Sequence, residues 1–216
     1  MDLDIFNLVM LTVLGFIGAF INAIVRGGGL ITVPALLAVG LPPATAIGTN
    51  KLAAALGNLT SMLTFLRAGK VNVRQLAPIL PLVFIGSMCG ALVIHLLPSE
   101  ILRPLIILLL VAVLIYSILK KDLGQVRTGQ RVSSRKKWLG YLLLIGLGLY
   151  DGFFGPGTGS FMIFVPIFMG FDFMQAAGNA KLLNLASNLA ALIVFLFHGT
   201  VHFSYGIVLG LSMVVG

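Results

Sequence analysis

Two glycine clusters, two lysines, a set of asparagines and one aspartate stand inside or beside long apolar stretches of this sequence, and these are the residue types with which it could do chemistry. The clusters are Arg26-Gly27-Gly28-Gly29 and Gly155-Pro156-Gly157-Thr158-Gly159. Glycine-rich backbone is costly to keep helical, so each cluster predicts a helix break. A helix that restarts after a break offers unsatisfied N–H groups and the positive end of its dipole, and bare glycine lets an anion approach the backbone. The chemistry predicted is anion binding, with Thr158 and Ser160 as hydroxyl donors and Arg26 as a fixed positive charge. The competing reading is close helix packing through small residues.

Lys51 and Lys181 form the second constellation. A lysine at the centre of a membrane helix costs at least about 2.5 kcal/mol, and it faces the bundle interior or a wet cavity unless it snorkels to an interface. Asn58 and Ser61 follow Lys51 by seven and ten residues, and Asn184 and Asn188 follow Lys181 by three and seven, so each set shares a helical face. Asn50 and Asn179 stand just before the lysines. Such a face can replace the hydration shell of a small anion; the same amides could instead join helices. Asp151 has three readings: pairing with a lysine, binding a coupling proton, or ending a helix. His198 and His202 flank a loop, where they serve either as solvated surface or in proton coupling. Gly157-Thr158-Gly159-Ser160 superficially fits a glycine-flanked nucleophile, but the one histidine in an apolar span that could act as base is His95, itself near a loop, and the repeat accounts for the glycines without catalysis. No enzymatic activity, cofactor or metal site is expected.

These residues must be positioned by membrane helices. Of 216 residues, 59% are hydrophobic and 9% charged, which excludes an ordinary soluble enzyme. Apolar runs cover 5 to 25, 30 to 40, 44 to 66, 76 to 97, 101 to 119, 139 to 153, 160 to 170, 174 to 197 and 204 to 216. The runs 30 to 40 and 160 to 170 reach only about half of a hydrocarbon core of about 30 Å, and each follows a glycine cluster. The formal charge of +8 is no nucleic-acid footprint. Seven cations fall between 120 and 137 and three between 67 and 74, which is the positive-inside pattern, while Arg103 marks a span edge and Arg26, Lys51 and Lys181 remain in apolar stretches. The single Cys89 excludes disulfides and thiolate metal sites. Asp2 and Asp4 replace the cations of a secretory signal, so the N-terminus reads as retained.

An internal repeat relates the two breaks. Val33-Pro34 recurs as Val165-Pro166, and Gly27 as Gly159, at a separation of 132; a two-residue deletion in the following loop then gives 130, matching Lys51-Leu52 with Lys181-Leu182, Asn58-Leu59 with Asn188-Leu189 and Gly69 with Gly199. The loop after residue 67 is cationic and its counterpart from 198 carries no Lys or Arg, so the halves are expected to be inverted. The resulting expectation is an all-α polytopic membrane protein of two inverted-topology repeats with glycine-broken half-helices: 1–119, a basic cytoplasmic loop 120–137, and 138–216. The N-terminus is expected outside. Gly216 matches Gly86, so the second repeat is about 33 residues shorter than the first, and a short chain could complete itself as a homo-oligomer. Inverted repeats with broken helices are the architecture of secondary transporters.

The run Tyr150-Asp151-Gly152-Phe153-Phe154-Gly155-Pro156-Gly157-Thr158-Gly159-Ser160-Phe161, with Gly27-Gly28-Gly29-Leu30, Val33-Pro34 and Gly48-Thr49-Asn50-Lys51, resembles the 4-toluene sulfonate uptake permease family, also called the sulfite exporter (TauE/SafE) family. The resemblance spans essentially the whole chain. It implies a bacterial inner-membrane transporter moving small sulfur-containing anions such as sulfite or organosulfonates, with the bilayer as its other partner. Members continue beyond the position of Gly216, and many carry a smaller residue at the place of Arg26. The expected site lies between the repeats: backbone at Gly27 to Gly29 and Gly157 to Gly159, charge from Lys51 and Lys181, and orienting bonds from Asn50, Asn58, Asn184 and Asn188. A non-transporting assembly component and an anion channel are the alternative readings.

Overall fold

Each apolar run becomes helical in the computed structural model, which describes residues 5–24, 28–119 and 133–215. The helices are α1 (Ile5–Ile24), α2 (Gly29–Ala38), α3 (Pro43–Arg67), a single turn α4 (Val73–Leu76), α5 (Leu80–Leu96), α6 (Ser99–Leu119), α7 (Ser134–Phe153), α8 (Thr158–Phe168), α9 (Phe173–Phe197) and α10 (Phe203–Val215). No strand occurs among the described residues. The stretches 5–22, 99–119 and 173–197 are long and apolar enough to cross a membrane. On α1 the exposed Ile5, Val9, Val13, Phe16 and Phe20, and on α6 the exposed Ile101, Leu108, Val111, Ile115 and Ile118, form the apolar faces that lipid covers.

Both glycine clusters interrupt helices. α8 restarts after Gly155 and Gly157, whose φ values of 98° and 83° lie in the region that favours glycine. α2 and α8, with 10 and 11 residues, are half-length helices. Arg26 and Gly27 of the first break, and the cations between 120 and 132, fall outside the described residues.

Several helix ends recur between the two halves among the described residues. The breaks that follow α1 and α7 restart at the N-caps Gly28 and Gly157, 129 apart. α3 and α9 each have 25 and begin 130 apart. α2 and α8 end at positively twisted Gly40 and Gly170, α3 and α9 at Gly69 and Gly199. All four ends close alike: Gly40, Gly69, Gly170 and Gly199 donate to the carbonyls of Leu37, Leu66, Ile167 and Leu196. This register corrects the separation of 132. The N-caps Gly28 and Gly157 are 129 apart and the C-caps Val39 and Met169 are 130 apart, so the length difference is one residue inside the short helix. The loops 39–42 and 169–172 are equal, and the Val-Pro pairs occupy different turns of α2 and α8.

The packing is reciprocal as well. α5 packs on α7 and α9, while α10 packs on α1 and α3. Gly48, near the start of α3, lies against the Thr200 carbonyl, and Gly178, near the start of α9, lies against the Lys70 carbonyl. Thr49 Oγ1 accepts the His202 N–H at 2.9 Å, and Asn179 Oδ1 accepts the Asn72 N–H at 2.9 Å. The start of each long helix is thus latched to the loop that follows the other, so α3 and α9 run antiparallel.

Where α5 crosses α7, Gly86 and Gly90 face the backbone of Ile145 and Leu149, and Gly148 and Gly152 face the backbone of Val83 and Ser87. Small residues four apart let the two backbones touch. A side chain on Gly90 or Gly152 would have to push one helix off the other, which costs about 1–3 kcal/mol or more. Gly152→Val is therefore expected to lower the melting temperature of the detergent-purified protein by several degrees; an unchanged melting curve would contradict this crossing.

Candidate functional site

A cavity of about 330 Å³ lies between the halves. The first turns of both half-helices reach it, through Gly29 of α2 and through Gly157 and Gly159 at α8. The breaks also touch each other, since a Cβ on Gly29 would stand 3.0 Å from Pro156 Cα. Tyr150 OH donates to the Pro156 carbonyl at 2.9 Å and pins the second break to the end of α7. The long helices contribute the polar wall: Asn50, Lys51 and Asn58 from α3, and Lys181, Asn184 and Asn188 from α9. Asp151 of α7 and Asn22 of α1 complete it.

Lys51 is fully buried, which excludes snorkelling. Its ammonium stands 3.2 Å from Asp151 Oδ1 and also donates to the Asp151 carbonyl oxygen. Ser187 Oγ donates to the other carboxylate oxygen, and Ser87 Oγ donates to the Ser187 carbonyl at 2.6 Å. Of the three readings of Asp151, the structure realises the lysine pair. Lys51 is thus paired and fully buried, and Lys181 is half-buried at another depth. Along antiparallel helices of about 36 Å, each lysine sits about 12 Å from its own N-terminus, so the two lie about 12 Å apart in depth.

The asparagines meet between them. Asn184 Oδ1 accepts from Asn188 Nδ2 at 2.6 Å and from Asn58 Nδ2 at 3.3 Å. Two bonds to the oxygen turn the Asn184 amide nitrogen the other way, and Asn188 is held further by its bond to the Asn184 carbonyl at 2.7 Å. Thr32 of α2 donates to Asn50 Oδ1 at 2.6 Å and fixes that amide likewise. The asparagines thus join helices and line the cavity at once.

Three expected donors do not reach the wall. Gly28 is the N-cap of α2, filled in by Gly18 and Asn22, and its carbonyl accepts from Ile31 and Thr32. Thr158 Oγ1 donates to the Gly155 carbonyl at 2.6 Å, so its hydroxyl closes the turn and does not face an anion. Ser160 is buried outside the lining. His198 stacks on His95 at 3.9 Å between centroids, and His202 stacks on Tyr205 at 4.2 Å. The residues missed from sequence are Asn22, Thr32, Ser87 and Ser187. Only Asn22 carried a legible signal, standing six residues before Gly28 as Asp151 stands six before Gly157.

The cavity extends past the lysines to Ser61, Thr64 and Phe65 near the end of α3 and to Met213, Val214 and Val215 of α10. Thr64 is exposed, whereas Lys51, on the turn after the one that Thr49 latches to His202, is fully buried.

Comparison with known proteins agrees with a membrane protein. A protein of Haemophilus influenzae named "Probable membrane transporter protein" is 42% identical over 219 residues, covering 100% of this chain and 84% of that protein. "Probable membrane transporter protein ORF9" of a Sinorhizobium species is 39% identical, covering 100% of this chain and 82% of the relative. "Probable membrane transporter protein YfcA" of Escherichia coli K12 is 36% identical, covering 93% and 74%. No solved structure matches the chain significantly. The sequence model of the sulfite exporter TauE/SafE family matches residues 11–216, and the chain belongs to that family of integral membrane transporters.

Proposed function

We propose that this protein is a secondary transporter for small oxyanions, sulfite or an organosulfonate, working by alternating access at the interface of two inverted repeats. The observation that carries the reading is the convergence of the first turns of α2 and α8 on one cavity that also holds two lysines. Half-helix N-termini attract anions, and discontinuous helices at a repeat interface are where such transporters bind their substrates. A volume of about 330 Å³ suits a small hydrated anion. A packing-only role for the glycines would call for dry, closed breaks, and Gly29, Gly155, Gly157 and Gly159 line open space instead.

The positive-inside rule places the loop after Arg67 and the basic loop 120–137 in the cytoplasm and the N-terminus outside the inner membrane. The Thr64 end of the cavity then faces inward. In a Cys89→Ser background, Thr64→Cys is expected to react with an impermeant maleimide in inside-out vesicles and not in right-side-out vesicles. Labelling only from outside would reverse the orientation.

Binding is tested directly. A ligand that binds only the folded state raises its stability, by about 2.7 kcal/mol at a hundredfold excess over Kd. Sulfite, thiosulfate, sulfoacetate or a longer sulfonate is expected to raise the melting temperature of purified protein in a saturable way. Absence of any shift across this panel, with none detected by calorimetry, would sink the anion reading.

A further inference from the structure

At the end of the bundle opposite Arg67, two histidines that the anion site does not use meet face to face. His95 stands in the last turn of α5, and His198 is the C-cap of α9. Their rings stack with centroids 3.9 Å apart and planes inclined by 27°. Each ring bonds back to its own helix: His95 Nδ1 lies 2.8 Å from the Ala91 carbonyl oxygen, and His198 Nδ1 lies 2.8 Å from that of Val194. A carbonyl only accepts, so both Nδ1 atoms carry hydrogen and donate. In each ring Nε2 is therefore the atom that gains or loses a proton.

His95 Nε2 stands 2.9 Å from Thr200 Oγ1, and that hydroxyl lies 3.1 Å from the Phe195 carbonyl oxygen. With His95 neutral, the hydroxyl donates to Nε2. With His95 protonated, Nε2 donates to the hydroxyl, which turns to the Phe195 carbonyl. One proton is thus accommodated by rotating a hydroxyl, at helix C-termini that favour a positive charge. A second proton has to sit on His198 and sets two like charges face to face at 3.9 Å. The stacked pair takes one proton, whereas separated rings, each titrating near about pH 6.5, take two.

This pair is built into the contact between the halves. Thr200 belongs to the loop whose His202 N–H donates to Thr49 Oγ1 at 2.9 Å, and its carbonyl lies against Gly48 of α3. The Phe195 ring lies between His95 and Gly48. Spreading the two imidazoles moves the 198–202 loop relative to the start of α3. The equivalent contact of the other half, from the Asn72 N–H to Asn179 Oδ1, has no histidine in its loop. The other described ionisable side chains of this end are His202, stacked on Tyr205, and the exposed Glu100 and Arg103 at the start of α6. Lys51, two residues beyond Thr49, is held by Asp151, and Asp2 and Asp4 fall outside the described residues.

We propose that His95 and His198 form a proton-binding site whose second protonation releases the 198–202 loop from α3, so that protons on that side of the membrane loosen the contact between the halves. The released state binds more protons than the latched one, so the latch weakens as pH falls. The assignment goes beyond the anion reading and stands without it.

Backbone hydrogen exchange of the full chain in detergent tests this, read on the 198–202 loop relative to the 68–72 loop of the same molecules. The ratio cancels the chemical dependence of exchange on pH. Between about pH 8 and about pH 5, relative protection of 198–202 is expected to fall at least about fivefold. His198→Gln removes the second charge and is expected to hold the ratio within about twofold over the same range. An unchanged ratio in wild type overturns the proposal. So does a fall of wild-type size in His198→Gln, which would make His202 the titrating group. If His198→Gln is not monodisperse, His95→Gln decides: a flat ratio supports the site and a persistent fall overturns it. Anion binding enters none of these measurements, so their failure is distinct from failure of the anion reading.

Discussion

Asp151→Ala is expected to destabilise the protein by about 3–5 kcal/mol, because it strands a buried ammonium. Lys51 is fully buried, and its ammonium is held by one carboxylate oxygen at 3.2 Å and one backbone carbonyl. Removing the carboxylate leaves the charge with the carbonyl alone and takes from Ser187 its side-chain acceptor. Pairing stabilises less than its loss destabilises, since both ions were desolvated to form it. The double variant Lys51→Met, Asp151→Asn carries no buried charge and is expected to recover most of the lost stability. Unfolding of the two variants beside wild type in mild detergent measures the difference. A single variant as stable as wild type would mean that Lys51 is not held as a buried cation.

The same pair has a second consequence. Lys51 belongs to the first half and Asp151 to the second, and the bond lies buried in the cavity wall. Rocking of the halves in the proposed cycle must alter the distance between α3 and α7 at this point. The double variant is accordingly expected to fold and yet to move anions at least tenfold more slowly in proteoliposomes. Comparing the single with the double substitution thereby separates the pair's part in stability from its part in turnover.

Much of this site was legible in the sequence because its residue types are expensive in a membrane. Lys51, Asn58, Asn184 and Asn188 announce themselves among apolar neighbours, and their three- and seven-residue spacing places them on common faces. The glycine breaks were legible for a similar reason, since few other residues adopt a φ of 98° or 83° as Gly155 and Gly157 do. The partner of Asp151 was not legible, because 100 residues separate it from Lys51 and only the crossing of α3 and α7 brings them together. Ser87 and Ser187 look like ordinary small residues of apolar helices until both are found beneath that carboxylate. Thr158 misled for a local reason: three residues beyond Gly155, its hydroxyl has a carbonyl within reach and takes it. The register of the repeat misled because identical Val-Pro dipeptides outweighed the helix ends, which only the glycine-terminated caps fix.

Gly155→Ala is the second substitution with a large expected effect, and Gly199→Ala provides its measure. Both glycines have positive φ, 98° and 65°, so alanine at either position carries a backbone cost of about 1–2 kcal/mol. Around Gly199 there is nothing within 4 Å of the added carbon, and the cost ends there. At Gly155 the added carbon would stand 2.7 Å from Lys51 Nζ and 3.4 Å from both the carbonyl and Oδ1 of Asp151. A lysine tip is flexible, but this one can yield only by leaving its carboxylate, which brings in part of the cost of breaking a buried pair. Gly155→Ala is therefore expected to be at least about 2 kcal/mol less stable than Gly199→Ala, and to lose at least tenfold in anion flux where Gly199→Ala retains most of it. Equal melting temperatures and equal flux for the two variants would show that the second break does not hold the ion pair in place. The predicted difference follows from one close approach: the break that opens α8 to the cavity also forms the roof over Lys51, so the glycine that permits the first also permits the second.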